Sequence, residues 1–549
     1  METDFLITSS PQTLGSVQLH AGNEALAHLL DNKFMDCWDS LYQACPWGTV
    51  FQSKEFVLTW YETYAPQWMP VLVRAENNGT ATGILTLAKA SNRLFITGAG
   101  EHSAEYHTWL SSREHSDEFI MKAVRLIQQQ FRGCILELKF TSADTPLGWL
   151  ATDSGRKFRR VIRRHDQPII AIDENHFLKK LNAKTIREKI KRLKKKGDLR
   201  LERITDRQEF EEVIDEMLLQ FEFRKGALYN TFPTHDDPLF RPFLLNLFEK
   251  DLLHVTVLRL DKQIIASMIN TAENNWVYLK GINTHAASFA RQSPGLLHFL
   301  MLGKLLADEN VGFFDLTPGG DYYKEGLATS RLAAHQIWLM NSLSAYAKIS
   351  LREWIKKLVR ETVSRKGIDP RLFLRRSNQA KEALMFARKQ GLLYTIKRVF
   401  GSRKTNDNIT IYRIKPDRSF IFAVNQDSLA DLLQFDQNGS AITRWTFLEK
   451  AMKCFEFGGR SFTTTKNGRL LACVWLKGKM ELPGTPPGAP LPEKAVILQN
   501  LYCHKDFKKD FSSFLSAVAS EALGEEHGIE VFAVAGLNDM PPSEDMYES

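Results

Sequence analysis

The sequence predicts a multidomain α/β protein. Two observations carry that expectation: a length beyond what one hydrophobic core organises, and an order of strands, helix and strand that recurs three times along the chain. At 549 residues, two to four domains are expected. Hydrophobic residues make up 44% of the chain and charged residues 25%, a globular composition, and there is no run of about 18 apolar residues to cross a bilayer.

The recurring order is clearest in the middle of the chain. From His254, HVTVLRLD, IIASMINTA and WVYLKGIN alternate as strands, with turns at Asp261-Lys262 and Asn274-Asn275. Ser293-Pro294-Gly295 then opens a helix with an apolar stripe, Gly312 ends it, and the buried strand FFDL follows. Earlier in the chain, PVLVRAE, ATGILTLA and RLFITGA lead to a helix through Phe119 to Ile127 and the strand CILELKF. Later, SFTTT, LLACVWL and AVILQNLY lead to a helix from Phe511 and the strand IEVFAVAG, with a Pro/Gly loop from Pro483 to Pro492. The expected domains are residues 1–165, 175–345 and 405–549, with a basic helical linker over 346–404.

Met1 to His20 lack a basic segment followed by an apolar one, and the six cysteines are scattered without a CxxC pair. The expectation is a soluble, cytoplasmic protein without disulfides. The net charge of +8 is concentrated in two stretches, Arg156 to Arg203 and Lys348 to Lys404, which point to an anionic partner. In the first, Thr185 to Gly197 reads as a helix with Ile186, Ile190 and Leu193 on one face and Lys189, Arg192 and Lys196 on another. In the second, Trp354, Ile355, Leu358 and Val359 lie among Lys356, Lys357 and Arg360. This is an amphipathic basic helix, suited to packing on a neighbouring domain or to peripheral contact with an anionic membrane through residues 346–404.

Serine at an N-cap and proline at the first helical position are what a helix start favours. The helix at Ser293-Pro294-Gly295 presents free N–H groups and the positive end of its dipole, and Arg291 and Gln292 adjoin it. That is a seat for the phosphates of a nucleotide-like cofactor. After the strand ending at Asp315 comes Thr317-Pro318-Gly319-Gly320-Asp321-Tyr322-Tyr323-Lys324, a polar turn at a strand end, where open α/β sheets collect ligands. Asp321, Tyr323 and Lys324 supply acid, base or anion contacts there. His102, His107 and His115 match no metal-ligand spacing, so no metal is expected. The absence of GxSxG, Walker and GxGxxG motifs leaves hydrolase, nucleotide triphosphatase and dehydrogenase readings without support.

The run from Phe221-Glu222-Phe223-Arg224 through Ser293-Pro294-Gly295 to Asp315 and Gly320-Asp321-Tyr322-Tyr323-Lys324 resembles the CelD-like branch of the GNAT acyltransferases, relatives of the FemAB peptidyltransferases. Arg187 and Arg192 match that branch's basic helix ahead of the core, and Phe51-Gln52-Ser53 and Gly83-Ile84-Leu85 its opening. The resemblance covers roughly residues 45 to 345, so the last domain lies outside it, and the aromatic expected after the Tyr-Lys pair is absent from Glu325-Gly326-Leu327.

The resemblance implies tandem GNAT-like domains, two clear and a third in the last domain. It implies an acyl-CoA, such as acetyl-CoA, as donor, and an amine or hydroxyl acceptor, either a small molecule or a polysaccharide or lipid precursor. On this reading Asp315 or Asp321 is the base, Tyr323 the proton donor to the leaving thiolate and Lys324 an anion or acceptor contact. Arg291, Gln292, Ser293, Pro294 and Gly295 hold the cofactor, and Arg192, Arg224 and Tyr278 contact substrate. Two rivals stand beside it. One is FemAB-like transfer of an aminoacyl group from transfer RNA, with acyl carrier protein as a further possible donor partner. The other is a non-catalytic scaffold docking through the basic linker.

Overall fold

The structure, a computed structural model, describes residues 14–65, 67–152, 158–319, 322–366, 370–390, 410–416, 423–438, 440, 442–477, 495–523, 530–535 and 547–548. The strands are β1 (Ser16–Ala21), β2 (Trp68–Asn77), β3 (Thr80–Ala90), β4 (Phe95–Gly98), β5 (Leu110–Ser111), β6 (Ile135–Thr141) and β7 (Arg159–Ala171), then β8 (Leu199–Ile204), β9 (Leu253–Leu260), β10 (Gln263–Glu273), β11 (Trp276–His285), β12 (Phe313–Asp315) and β13 (Ser330–Met340). Together they form one 13-stranded sheet in the order β1-β2-β3-β4-β6-β13-β7-β12-β11-β10-β9-β8, with β5 on β3. Each half repeats one design: an antiparallel meander, a helix, and a final strand parallel to the last meander strand. In the first half, α1 (Ser116–Gln130) links β4 to its parallel neighbour β6. In the second, α4 (Pro294–Asp308) links β11 to its parallel neighbour β12.

The tight turns follow from residues that tolerate positive φ. Asn78-Gly79 joins β2 to β3 with φ of 50° and 78°, as a two-residue hairpin requires. Asn274, at φ 50°, turns β10 into β11.

The halves are joined by exchange. β7, which follows the first half, pairs with β12 of the second, and β13, which follows the second half, pairs with β6 of the first. β7 and β13 then pair with each other from Ser330↔Ile169 to Met340↔Arg159. Arg159, Arg160, Arg163 and Arg164, read from sequence as part of a charged docking stretch, therefore belong to a sheet strand. The charges leave the strand intact because its side chains alternate, and Arg163 pairs with Glu353 at 3.2 Å.

Packing also unites the halves. One hydrophobic core runs from Leu14 to Leu339 and draws on both. Phe243 of the second half meets Phe56 and Tyr64 of the first edge-on, at 6.0 and 5.6 Å, and the Tyr64 hydroxyl donates to Asp237 at 2.7 Å. The long helix α3 (Arg207–Tyr229) starts where Asp206 accepts from the Gln208 and Glu209 amides and ends at Asn230, φ 55°. Helix α2 (Lys184–Lys194) buries Ile186 and Leu193 and leaves its charges outside.

The last unit has its own 7-stranded sheet, ordered β15-β16-β17-β18-β19-β14-β20. Its strands are β14 (Thr410–Ile414), β15 (Asn425–Gln426), β16 (Arg460–Lys466), β17 (Arg469–Lys477), β18 (Ala495–Cys503), β19 (Glu530–Ala535) and β20 (Tyr547–Glu548). The same design recurs: β16, β17 and β18 form the meander, α7 (Phe511–Leu523) follows, and β19 is parallel to β18. Its helix α6 (Arg444–Glu456) packs against α3, and Trp445 donates to the Ala227 carbonyl at 3.1 Å. In sequence between the two sheets comes α5 (Leu343–Arg365), which lies against β7 and β13. No helix among the described residues is long and apolar enough to cross a membrane.

Candidate functional site

β11 has two neighbours for only part of its length. It pairs with β12 through Trp276↔Phe313, Val277↔Phe314 and Tyr278↔Asp315, and there β12 ends. Thr317 takes a left-handed φ of 58°, its N–H donates to the Asp315 carboxylate at 2.7 Å, and Pro318 has no N–H to extend a ladder. The chain therefore turns away, and the Leu316 amide bonds to Pro168 instead. On the other flank the β10 register jumps from Ile269↔Ile282 to Thr271↔Tyr278, so Leu279, Lys280 and Gly281 together face Asn270. This is a bulge at the point where the partner strand leaves, and bulges re-aim backbone and side chains.

A cleft of about 400 Å³ opens in that gap. β11 contributes Leu279, Lys280, Gly281, Asn283 and His285; the first turn of α4 contributes Gly295 and Leu296; Arg224 and Tyr229 of α3 form the opposite wall. Glu105, from the first half, completes it. A Cβ at Gly281 would meet no other atom within 4 Å, so the backbone there borders open space. Asn270, opposite the bulge, is fully buried, and neither of its amide atoms has a partner among the described residues. A buried amide left in that state is costly unless something polar joins it.

Ionisable groups in the cleft come from both halves. Lys280 is buried, with its ammonium 5.1 Å from the Phe243 ring centroid, 5.9 Å from that of Phe56, and 3.4 Å from the Ser103 carbonyl. Burial pulls its pKa down to about 8, against the opposing pull of Glu105. Glu105 pairs with Lys139 at 3.4 Å. Arg224 lies within 3.2 Å of both ring nitrogens of His285, and burial together with this cation holds that imidazole neutral, its pKa down to about 3.

At the start of α4, Ser293 occupies the N-cap position with a left-handed φ of 54°, and its hydroxyl caps no backbone amide. The expected serine cap is absent because the hydroxyl accepts from Lys189 of α2 at 2.7 Å. Pro294 is buried at the first helical position. Gly295 lies against His285, where a Cβ would come 3.3 Å from Nδ1. Arg291 is turned toward the last unit: its guanidinium donates to the Phe457 carbonyl at 3.2 Å and lies over the Phe457 ring. The Gln292 side-chain oxygen is buried without a partner among the described residues. Lys196 lies over the Phe289 ring, and Arg192 is exposed on α2.

The other sequence-derived residues gather around the turn after β12. Asp315 is fully buried, and its carboxylate accepts from the Tyr106 hydroxyl, the Gln167 amide and the Thr317 N–H, each at 2.7 Å. Burial outweighs those donors and pushes its pKa up to about 6. Lys324 is buried and donates to the Thr317 carbonyl at 3.1 Å. Tyr278 sits between the halves among the rings of Phe51, Tyr106 and Trp276. Asp321 lies outside the described residues, and for Tyr323 only the backbone, in the short helix Tyr322–Leu327, is described.

Gly295 and Arg224 thus line the cleft together, whereas Asp315, Lys324, Tyr278 and Arg192 are not in its lining; Asp315 and Lys324 reach it through their bonds to Thr317, and Arg192 is exposed on α2. Sequence reading did not single out Lys280, Gly281, His285 or Glu105, and it treated Lys189 only as one of several helix charges. One signal was available: Lys280 directly follows the apolar run Trp276 to Leu279 and is buried with it. Elsewhere, potential ligand atoms of His20, Glu24 and His28 lie within 4.8 Å of one another, a grouping of metal-binding chemistry, and the buried Nε2 of His20 has no partner among the described residues.

Comparison with known proteins bears on the middle of the chain. Residues 181–325 match the family described as "Acetyltransferase (GNAT) domain". No curated protein matches the sequence. Among solved structures, FemX is 11% identical over 57% of this chain and 98% of its own, with a TM-score of 0.41. A tandem GNAT protein from the clavulanic acid biosynthesis pathway is 11% identical over 60% of this chain and 99% of its own, with a TM-score of 0.37. A conserved protein of unknown function from Bacteroides thetaiotaomicron VPI-5482 is 10% identical over 56% and 97%, with a TM-score of 0.39. At these scores the structural likenesses do not bear on function.

Proposed function

We propose that the protein, whose residues 181–325 match the GNAT acetyltransferase family, transfers an acyl group, acetyl in the simplest case, from an acyl-CoA thioester to an amine. The observation that carries this reading is the parting of β11 from β12 beyond Tyr278 and Asp315, with the first turn of α4 at the mouth of the gap. The gap takes the thioester arm in an extended form against the backbone of Leu279 to Gly281. The donor's phosphates meet the start of α4, where Lys189 and the Ser293 hydroxyl add charge and a hydrogen bond. The acceptor enters on the side of Glu105 and Lys280.

The chemistry asks mainly for positioning. The amine nitrogen attacks the thioester carbonyl carbon, a C–N bond forms and the C–S bond breaks. The amine's proton passes to a base on the acceptor side, for which Glu105 is the candidate in the cleft lining, and the thiolate takes a proton from an acid such as Tyr323 as it leaves. On this reading backbone N–H groups of the bulge stabilise the oxyanion. Asp315 holds the Thr317 turn that opens the gap, as a positioning residue. Asp321 and Tyr323 are the further candidates for base and acid, and a hydroxyl acceptor follows the same steps. The alternative donor is an aminoacyl ester on transfer RNA, favoured by the exposed cations Lys191, Arg192, Lys194 and Lys195 beside the seat.

Titration calorimetry of the full chain with coenzyme A and acetyl-CoA tests the proposal, using Gly281→Val, whose Cβ meets no other atom within 4 Å, to fill the gap. Saturable binding that Gly281→Val abolishes, with thermal unfolding unchanged, is expected. Absence of binding by the wild type overturns the acyl-CoA reading. Salt-sensitive binding of aminoacyl-tRNA in its place moves the donor to RNA.

A further inference from the structure

Helix α5 shows two opposed faces. Toward the sheet it holds Glu353 against Arg163 of β7 at 3.2 Å, and near its end Val363 is buried. On the far side Leu351, Trp354, Ile355 and Leu358, at the i, i+3, i+4, i+7 spacing of one helical stripe, are 57%, 58%, 46% and 48% exposed. Single exposed apolar residues are ordinary, but these are concentrated: of the sixteen large hydrophobic side chains exposed among the described residues, six lie on this helix. Phe373, Leu384 and Met385 of the next helix, Pro370–Gln390, add three more.

Charge decides what covers the stripe. Lys348 and Arg352 border it on one side and Lys357 on the other, all exposed, and α5 as a whole carries six basic residues against two acidic ones. A second copy docked on the same stripe would bring these like charges together. An anionic bilayer meets them with opposite charge while its interior takes up the apolar side chains, and an exposed tryptophan suits the headgroup boundary. We propose that α5 is a peripheral membrane anchor that lays Leu351, Trp354, Ile355 and Leu358 into the surface of an anionic lipid bilayer, with Lys348, Arg352 and Lys357 at the headgroups. This inference does not depend on the identity of the acyl donor.

The test is cosedimentation of the full-length protein with vesicles of phosphatidylcholine alone and of equimolar phosphatidylcholine and phosphatidylglycerol. Binding to the anionic vesicles that falls as salt rises is expected. Trp354→Ser with Leu358→Ser lowers it at least tenfold, and Lys348→Gln and Lys357→Gln each lower it about fivefold, since each surface cation contributes about 1 kcal/mol. These side chains face solvent, so thermal unfolding of the variants stays at the wild-type temperature. No binding to anionic vesicles, or equal binding by the Trp354→Ser/Leu358→Ser variant, overturns the proposal. So does a dimer in analytical ultracentrifugation that this variant abolishes, which would make the stripe an interface between copies.

Discussion

Asp315 offers a sharp test of how the site is supported. Its carboxyl ionises near 6 in the folded protein and near 3.8 without the fold, so the buried anion costs about 3 kcal/mol at neutral pH. Because the folded pKa is the higher of the two, the stability tied to the protonated form is complete below pH 3.8 and is lost as pH rises through about 6. Asp315→Asn cannot titrate, and its hydrogen bonds can be rebuilt. The amide oxygen keeps the Thr317 N–H, and the new NH2 group donates to Gln167 once that side chain flips to present its oxygen, which is buried without a partner among the described residues. The Tyr106 hydroxyl rotates to accept. Urea denaturation followed by tryptophan fluorescence from about pH 4 to about pH 8 should show the variant gaining on the wild type as pH rises, to an advantage of about 1–3 kcal/mol at the upper end. Asp315→Ala should destabilise throughout, because it strands the Thr317 and Gln167 donors. A wild-type minus variant difference that stays constant across the pH range refutes the reasoning.

Three further outcomes follow from the same structure. Lys280→Met should raise stability at pH 7 by up to about 3 kcal/mol, a gain that shrinks above about pH 8, where the wild-type lysine sheds its charge, while transfer activity falls; unfolding curves at both pH values check the first part and an acceptor screen the second. Lys189→Ala should weaken coenzyme A binding by roughly 5- to 30-fold with little change in unfolding temperature, since on the proposed reading it removes one charge-assisted phosphate contact at the start of α4; calorimetry reads it. Trp445→Ala should cost about 3–5 kcal/mol at the contact between the last unit and α3 and split thermal unfolding into two transitions in calorimetric scans.

How much of this was legible in sequence depended on where each signal lay. The three meanders, their helices and their closing strands could be read because each is local, bounded by turns such as Asn78-Gly79 and carried by a period of two. β7 and β13 could not, because their partners lie far along the chain and the sequence of β7, RRVIRRHDQPIIA, hides its alternation under charge. At the site, Ser293-Pro294-Gly295 marked a helix start that the structure has at Pro294, from local propensity, yet the serine's actual partner, Lys189, sits on another helix. Arg291 is next to that helix start in sequence and bound to the last unit in space. Lys280 and Glu105 meet only because two halves fold against each other, a contact that no window of sequence contains.

The exchange of β7 and β13 also has a consequence for the newborn chain. β6 ends at Thr141, and the neighbour that covers its edge begins only at Ser330. At about 5–20 residues per second, that edge waits about 10–40 seconds during synthesis with its backbone groups unmatched. A ribosome-bound fragment ending between the two strands is thus the species most exposed to pairing with the wrong neighbour. Cutting the gene between the halves would make that hazard permanent.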